Sequence, residues 1–143
     1  MPIDYNVRIP MRDGLALSAA LCRPDGEGPF AVVLTRSCYT KWSASLARRA
    51  SLWNGAGYAL VVQDVRGRGD SQGSFYPLVD ERQDGWDTLD WLQKQPWCNG
   101  RVVMIGASYG GWTQMYVAAD NHPALAAICP VATAEPRMVP SVP

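Results

Sequence analysis

The chain has 143 residues with 13 basic and 13 acidic side chains, so its formal net charge is zero at neutral pH. Hydrophobic residues make up 48% of the chain, which is typical of one soluble globular domain rather than of a disordered or fibrous protein. Because the charges balance and no block of Lys or Arg occurs, the sequence predicts no basic surface for nucleic acid or for an anionic membrane.

The apolar stretches are too short to cross a bilayer, which takes about 20 residues, because Asp120, Pro123 and Pro130 interrupt them. The first ten residues lack the basic and apolar regions of a signal peptide, which favours a cytoplasmic protein. The cysteines, at positions 22, 38, 98 and 129, form no CxxC or Cys/His pair. We therefore expect no metal site and no redox dithiol, but reduced cysteines packed as small hydrophobic residues.

The first predicted elements are two short strands. Apolar residues alternate with polar ones at Tyr5, Val7 and Ile9, and again over residues 15–21 after an Arg-Asp-Gly turn, which predicts an antiparallel hairpin. Residues 30–34 are a continuous apolar run, as expected of a strand that is buried on both faces.

Helices and buried strands alternate over the rest of the chain. We expect helices over 44–54, capped by Ser43, over 81–95 and over 110–119, with strands at 58–62, 102–105 and 125–131. This order predicts an α/β fold with a largely parallel sheet and an antiparallel hairpin at one edge. Residues 132–143 are rich in proline and have no periodicity, so we expect an irregular tail there.

A Gly-x-Ser-x-Gly sequence, residues 106–110, stands between a predicted strand and a predicted helix. A nucleophilic serine on such a turn has a strained backbone, so the positions two before and two after it must lack colliding side chains. The helix that follows points its N-terminal N–H groups at a developing oxyanion. Ser108 is therefore the candidate nucleophile; the alternative is a glycine-rich turn whose serine only caps the helix.

Further segments accompany this motif in a fixed order. They are Asp64-Val65-Arg66-Gly67, Gly73, Asp84, Asp87-Thr88-Leu89-Asp90-Trp91-Leu92 and Gln95-Pro96-Trp97-Cys98-Asn99-Gly100. Together with the Gly-x-Ser-x-Gly motif they closely resemble the Xaa-Pro dipeptidyl-peptidase and cocaine-esterase family of α/β-hydrolases, over nearly the whole chain.

The resemblance implies a serine hydrolase of the α/β-hydrolase fold, in which Ser108 attacks an ester or amide carbonyl and becomes acylated. It also implies that the backbone N–H of Tyr109 and the hydroxyl of Tyr39 form the oxyanion hole, with no metal or organic cofactor. A donor from the loop after the third strand is where α/β-hydrolases complete this hole. The alternative for Tyr39 is a half-exposed loop tyrosine without that role.

A catalytic base and an orienting acid should follow the serine, in the order Ser, Asp or Glu, His. Asp120 and His122 have that order, but a helix over 110–119 would place residue 120 roughly 18 Å from Ser108 at about 1.5 Å per residue. Since hydrogen-bond reach is about 3 Å, we expect His122, the single histidine, to be a loop residue rather than the base.

In the family that the chain resembles, the catalytic Asp and His follow a helical cap beyond the sixth strand, and a β-sandwich domain comes after the hydrolase domain. Residues 1–143 then correspond to an N-terminal part of the hydrolase domain. We expect little or no turnover from these residues alone, because a serine without its base keeps only the residual catalysis of binding and the oxyanion hole.

Other patterns have plainer interpretations. Residues 67–73 place a third glycine one position too late for the dinucleotide fingerprint, and Arg68-Gly69-Asp70 is expected to be a polar turn rather than an adhesion sequence. A row of acidic residues is expected at a helix N-terminus and along its exposed side rather than at a metal. These residues are Asp80, Glu81, Asp84, Asp87 and Asp90.

The sequence thus predicts the nucleophile-bearing part of a serine hydrolase. Its substrates would be small-molecule esters, β-lactam side-chain acyl groups or Xaa-Pro peptides, and homo-oligomer formation stays open. The alternative is a non-catalytic interaction or scaffold protein with the first half of the fold, or a half-domain completed by another chain.

Overall fold

Six strands and three helices alternate in the part of the chain that the computed structural model describes, residues 2–41 and 43–134. The strands are β1 (Ile3–Pro10), β2 (Ala16–Cys22), β3 (Phe30–Ser37), β4 (Tyr58–Asp64), β5 (Cys98–Ala107) and β6 (Leu125–Val131). The helices are α1 (Leu46–Gly55), α2 (Glu81–Gln93) and α3 (Tyr109–Ala118). The predicted α/β class and the order of its elements are confirmed.

All six strands belong to one mixed sheet with the order β1-β2-β4-β3-β5-β6. β1 and β2 form the predicted antiparallel hairpin at one edge, and β2 pairs antiparallel with β4. The remaining pairs, β3 with β4, β3 with β5 and β5 with β6, are parallel. The carboxyl ends of β3, β4, β5 and β6 therefore meet at one edge of the sheet.

The helices cover both faces of the sheet. On one face, Leu46 and Ala50 of α1 pack against Val33 and Leu60 of the central strands. On the other face, α2 and α3 cover a larger core that includes Leu89, Leu92 and Val117. Alternate side chains of β3 and β4 enter opposite cores, which explains why their sequences are apolar without a break.

The neighbouring strands β3 and β5 lead to helices on opposite faces. α1 follows β3 on one face, whereas α3 follows β5 on the other. Loops that leave adjacent parallel strands in opposite directions open a crevice at the carboxyl ends, where ligands bind in open α/β sheets. The loops after β3 and β5 carry Tyr39 and Ser108, so the topology places both residues at this crevice.

Several boundaries differ by a few residues from those expected, and for the starts of β5 and α1 the structure shows a local cause. β5 begins at Cys98 instead of residue 102, and Gly100, with φ 81°, lies in an irregular stretch where the pairing with β3 shifts register. α1 begins at Leu46 with Ser45 at its N-cap position, so Ser43 is not the cap; its carbonyl instead accepts the N–H of Leu46 in a turn. Local turn residues in both places hid the true ends of the elements.

The expectation that the acidic residues of α2 are exposed is wrong for Glu81 and Asp84, which are buried. Asp84 accepts two hydrogen bonds from Arg66, at 2.6 and 3.0 Å, and these raise the pKa of the arginine. Gly85 allows Arg36 to approach the helix, since a Cβ there would lie 3.1 Å from Arg36 Nη1. The basic partners come from distant strands and loops, so the local charge pattern of α2 does not show them.

The last strand, β6, is an edge of the described sheet, and its apolar side chains Ile128 and Val131 are exposed. Residues 132–134 have no regular secondary structure, and the rest of the predicted tail lies outside the described residues. Within the described segments, no helix is long and apolar enough to cross a bilayer. Of the cysteines, Cys22 and Cys98 are buried as expected, but Cys129 is exposed.

Candidate active site

Ser108 sits on a sharp turn between β5 and α3. Its backbone has φ 53° and ψ −118°, a left-handed φ that non-glycine residues adopt only when the surrounding structure holds them there. The Ser108 N–H donates to the carbonyl of Val131 at 2.9 Å, and the Ser108 carbonyl accepts the N–H of Gly111 at 2.8 Å. The side chain is exposed at the carboxyl edge of the sheet, as a nucleophile must be.

Glycines let the turn close. A Cβ at Gly106 would lie 2.9 Å from the carbonyl oxygen of Gly110, a backbone atom that cannot move aside without moving the helix. A Cβ at Gly111 would lie 2.7 Å from the Cβ of Thr133. Gly106 therefore has the steric role that the sequence predicts, whereas a Cβ at Gly110, the second glycine of the motif, would meet nothing closer than 3.4 Å.

Replacing Gly106 with alanine is expected to destabilise the protein by about 1–3 kcal/mol, as overpacking a tight contact does. Gly55→Ala is the matched control, because a Cβ at Gly55 meets nothing within 4 Å and its φ is ordinary. Urea denaturation checks the pair. Equal midpoints for the two variants would contradict the steric role of Gly106.

Tyr39 reaches the nucleophile from the loop after β3. Its hydroxyl donates to Ser108 Oγ at 3.2 Å, although the two residues are 69 positions apart in the chain. Tyr39 is 59% exposed, so the residue lies at the open crevice rather than in the core. A phenolic O–H beside the nucleophile can donate to an oxygen that gains negative charge during attack.

Tyr109 is the first residue of α3, where backbone N–H groups have no partner within the helix. Its N–H is thus free of the helical ladder and belongs to the positive end of the helix dipole. While Ser108 is exposed, the side chain of Tyr109 is buried, with its ring 5.9 Å from that of Phe75. The structure therefore brings Ser108, Tyr39 and Tyr109 together at the carboxyl ends of β3 and β5.

The buried hydroxyl of Tyr109 joins a polar network beneath the turn. It donates to Glu81 Oε1 at 2.7 Å and accepts the N–H of Leu78 at 3.0 Å. Burial, with the Glu81 carboxylate beside it, raises the pKa of Tyr109, so the phenol stays protonated. Arg36 Nη1 lies 3.1 Å from Glu81 Oε2, close enough for an ion pair although the two are not aligned for a hydrogen bond.

Tyr109→Phe is expected to lower the free energy of unfolding by about 1–3 kcal/mol, because it leaves a buried carboxylate oxygen and a backbone N–H without their partner. Tyr58→Phe is the control, since Tyr58 is the first residue of β4. It therefore lies at the amino ends of the parallel strands, whereas the Ser108 turn lies at their carboxyl ends. Chemical denaturation of the two variants provides the comparison. A Tyr109→Phe protein as stable as the parent would show that this network does not hold the turn.

His122 and Asp120 do not complete a triad with Ser108. His122 is buried, its Nδ1 accepts the N–H of Ala124, and its Nε2 lies 3.2 Å from Asp90 Oδ1. Because Nδ1 is an acceptor, Nε2 carries the proton in the neutral ring and donates to Asp90. Asp120 forms an ion pair with Arg82, which lowers the pKa of the aspartate. Both residues are thus engaged with α2, and the expectation that His122 is a structural residue agrees with its contacts.

Two further charged residues, Lys41 and Asp64, lie next to the site, and no sequence motif predicts a role for them. The Lys41 side chain is fully buried and bonds Asp64, the last residue of β4, and Asp70 in the glycine-rich loop. Asp64 begins one of the segments that carry the family resemblance, and a charged residue at the end of a buried strand is a signal that could have found it. Lys41 stands two positions after Tyr39 and has no such signal. Among residues 2–41 and 43–134, no group of three or more His, Cys, Asp or Glu could hold a metal ion.

The chain is similar in sequence to a curated esterase over most of its length. The cocaine esterase of Rhodococcus sp. (strain MB1 Bresler) is 42% identical over 132 residues, which cover 90% of this chain and 23% of that protein. The chain therefore spans about a quarter of the length of such relatives.

Solved structures of hydrolases superpose on the chain. An aminopeptidase from a Thaumarchaeota archaeon matches 90% of this chain and 26% of its own, with a TM-score of 0.79 and 35% identity. A CocE/NonD family hydrolase from Staphylococcus aureus matches 88% of this chain and 26% of its own, with a TM-score of 0.81 and 26% identity. These matches confirm the α/β-hydrolase fold.

A family model matches most of the chain. The family model described as X-Pro dipeptidyl-peptidase (S15 family) matches residues 13–138, which include β2, the glycine-rich loop and the serine turn. The chain therefore belongs to the X-Pro dipeptidyl-peptidase (S15) family of hydrolases.

Proposed function

We propose that Ser108 is the nucleophile of a serine hydrolase that forms an acyl-enzyme, with the Tyr109 N–H and the Tyr39 hydroxyl as its oxyanion hole. The observation that carries this proposal is the 3.2 Å contact between Tyr39 Oη and Ser108 Oγ at a serine held with φ 53°. A helix-capping serine would need neither an exposed, strained position nor a phenol from a loop 69 residues away.

In the proposed reaction, Ser108 Oγ attacks the carbonyl carbon of the substrate and loses its proton to a base. The carbonyl oxygen becomes negatively charged and accepts hydrogen bonds from the Tyr39 hydroxyl and the Tyr109 N–H. The base then gives this proton to the leaving group, so that collapse of the intermediate expels an alcohol or amine and leaves an ester on Ser108. Water, which loses a proton to the same base, then hydrolyses the ester and regenerates Ser108.

We propose that the base comes from outside residues 1–143. His122, the single histidine of the chain, is held by Asp90 and Ala124, so it is not placed to take the proton of Ser108. Residues 1–143 alone should then show little turnover, because the nucleophile without its base keeps only the residual effect of the oxyanion hole.

The proposed substrates are small esters, amides or short peptides in aqueous solution. The names of the relatives support both kinds of bond, since one is a cocaine esterase and another an aminopeptidase. The balanced charge of the chain, with 13 basic and 13 acidic residues, favours neither nucleic acid nor an anionic membrane as a partner.

Labelling with a fluorophosphonate tests the proposal in the full-length protein. The reagent should modify the parent and the Ser51→Ala control, in which an exposed serine of α1 is replaced, but not Ser108→Ala. Labelling of Ser108→Ala at the rate of the parent would overturn the assignment of the nucleophile.

A further inference from the structure

The Tyr39 hydroxyl must be accurately placed although its side chain has little support of its own. The residue is 59% exposed, so packing of the ring cannot fix the hydroxyl beside Ser108. Oxyanion donors work because they are already oriented before the reaction, and a displacement of about 1 Å can cost about 100-fold in rate. The backbone that carries Tyr39 must therefore be held by its neighbours.

The residues on both sides of Tyr39 are tied to the rest of the protein. The Tyr39 N–H lies 3.4 Å from Ser37 Oγ, and the carbonyl of Cys38 accepts Arg68 Nε at 3.2 Å. Thr40 has φ 67°, a left-handed conformation that a non-glycine residue keeps only under constraint. The chain thus turns sharply directly after the tyrosine.

Lys41 supplies the constraint on the far side of this turn. Its N–H donates to Asp64 Oδ1 at 2.5 Å, while its Nζ donates to Asp64 Oδ2 at 3.0 Å and to Asp70 Oδ2 at 2.5 Å. The side chains of Lys41 and Asp64 are both fully buried. The Asp64 carboxylate therefore accepts hydrogen bonds from both the backbone and the side chain of Lys41.

The glycine-rich loop is shaped to close over this cluster. Gly69 has φ 52°, and a Cβ there would lie 2.1 Å from Asp64 Oδ2. Only glycine therefore lets the loop pass close enough to bring Asp70 to Lys41. The role of the Arg68-Gly69-Asp70 turn is thus to bring the Asp70 carboxylate to Lys41 Nζ.

A buried ion pair is a weak source of stability, because desolvation offsets most of the attraction between the charges. What such a pair does supply, when all its hydrogen bonds are made, is a fixed geometry. Here the fixed residue is two positions from the tyrosine that contacts the nucleophile.

We propose that Lys41, Asp64 and Asp70 form a positioning triad, which sets the Tyr39 hydroxyl against Ser108. The proposal rests on the oxyanion role of Tyr39 given above. The three residues touch no substrate and act through the loop backbone alone. It follows that their loss can cost at most what loss of the Tyr39 hydroxyl costs.

Asp70→Asn is the variant of choice, because the Asp70 side chain is 44% exposed and the Lys41–Asp64 pair remains. We expect kcat to fall about 10-fold with KM nearly unchanged, since the donor is misplaced mainly for the transition state. Asp70→Glu, which keeps the charge, should recover part of the loss. Asp13→Asn is a closely matched control, because Asp13 is 46% exposed and its carboxylate lies 2.6 Å from Arg66 Nη1. This ion pair does not involve the loop that carries Tyr39.

The decisive experiment is a double-mutant cycle on the full-length protein, with Tyr39→Phe as the second change. If the triad acts through Tyr39, Asp70→Asn should lower kcat in the parent and have almost no effect in the Tyr39→Phe background. Asp13→Asn should leave kcat unchanged in both. If Asp70→Asn fails to fold, Asp70→Glu enters the same cycle.

Two results would count against these assignments, and they can be told apart. Equal losses from Asp70→Asn in both backgrounds would overturn the positioning triad and leave the oxyanion role of Tyr39 standing. An unchanged kcat in Tyr39→Phe itself would overturn that role and, with it, the triad.

Discussion

Ser108→Ala in the full-length protein is expected to lower kcat by about 10⁶-fold, the size of effect seen when a serine hydrolase loses its nucleophile. The acyl-enzyme route disappears with the hydroxyl, so no partial activity from the same mechanism should remain. KM should change little, because Ser108 contributes one exposed hydroxyl to substrate binding. Steady-state hydrolysis of an activated ester measures the loss.

The substitution keeps the Cβ atom, so the strained backbone with φ 53° is under the same constraint in the variant. Equal urea midpoints for parent and Ser108→Ala would show that the turn is intact. Ser51→Ala, on the exposed side of α1, controls for the loss of a serine hydroxyl elsewhere. A Ser108→Ala enzyme with activity within 10-fold of the parent would contradict the role of Ser108.

Tyr39→Phe should lower kcat by about 10²–10³-fold, which corresponds to about 2.7–4 kcal/mol of transition-state stabilisation from one oxyanion donor. The change removes only the hydroxyl that lies 3.2 Å from Ser108 Oγ. Because Tyr39 is 59% exposed, the fold should tolerate the substitution. Single-turnover kinetics with an ester substrate separate this effect on acylation from any effect on product release.

Tyr58→Phe is the control for Tyr39→Phe. Tyr58 is the first residue of β4, at the amino ends of the parallel strands and away from the Ser108 turn, and its ring packs against that of Trp53. Its kcat should match that of the parent. If Tyr39→Phe also kept the parent rate of acylation, Tyr39 would be an exposed loop residue without a catalytic role.

The sequence predicted the fold well where the signal is periodic. Alternation of apolar residues located the β1–β2 hairpin, and continuous apolar runs located β3, β4 and the core of β5. The Gly-x-Ser-x-Gly motif located the turn, because its steric demands are local. The starts of α1 and β5 differ from the predicted ones, because the serines before α1 and the Asn-Gly pair within β5 are residues that favour turns.

The site was predicted only in part, for a related physical reason. Tyr39 and Ser108 are 69 residues apart, and the sheet order alone brings them together, so Tyr39 was identified by resemblance. The sequence predicts an exposed position for Glu81, whereas the structure buries it, because its partners Arg36 and Tyr109 come from β3 and α3. Ion pairs between distant elements leave no local pattern in the sequence.

The most direct test of the central claim is the mass of the trapped intermediate. A full-length enzyme quenched in acid during turnover of an activated ester should carry one acyl group, and peptide mapping should place it on the peptide that contains Ser108. The acyl group should be absent from Ser108→Ala. An acyl group on any other residue, or catalysis with no covalent intermediate while deacylation is rate-limiting, would contradict the account.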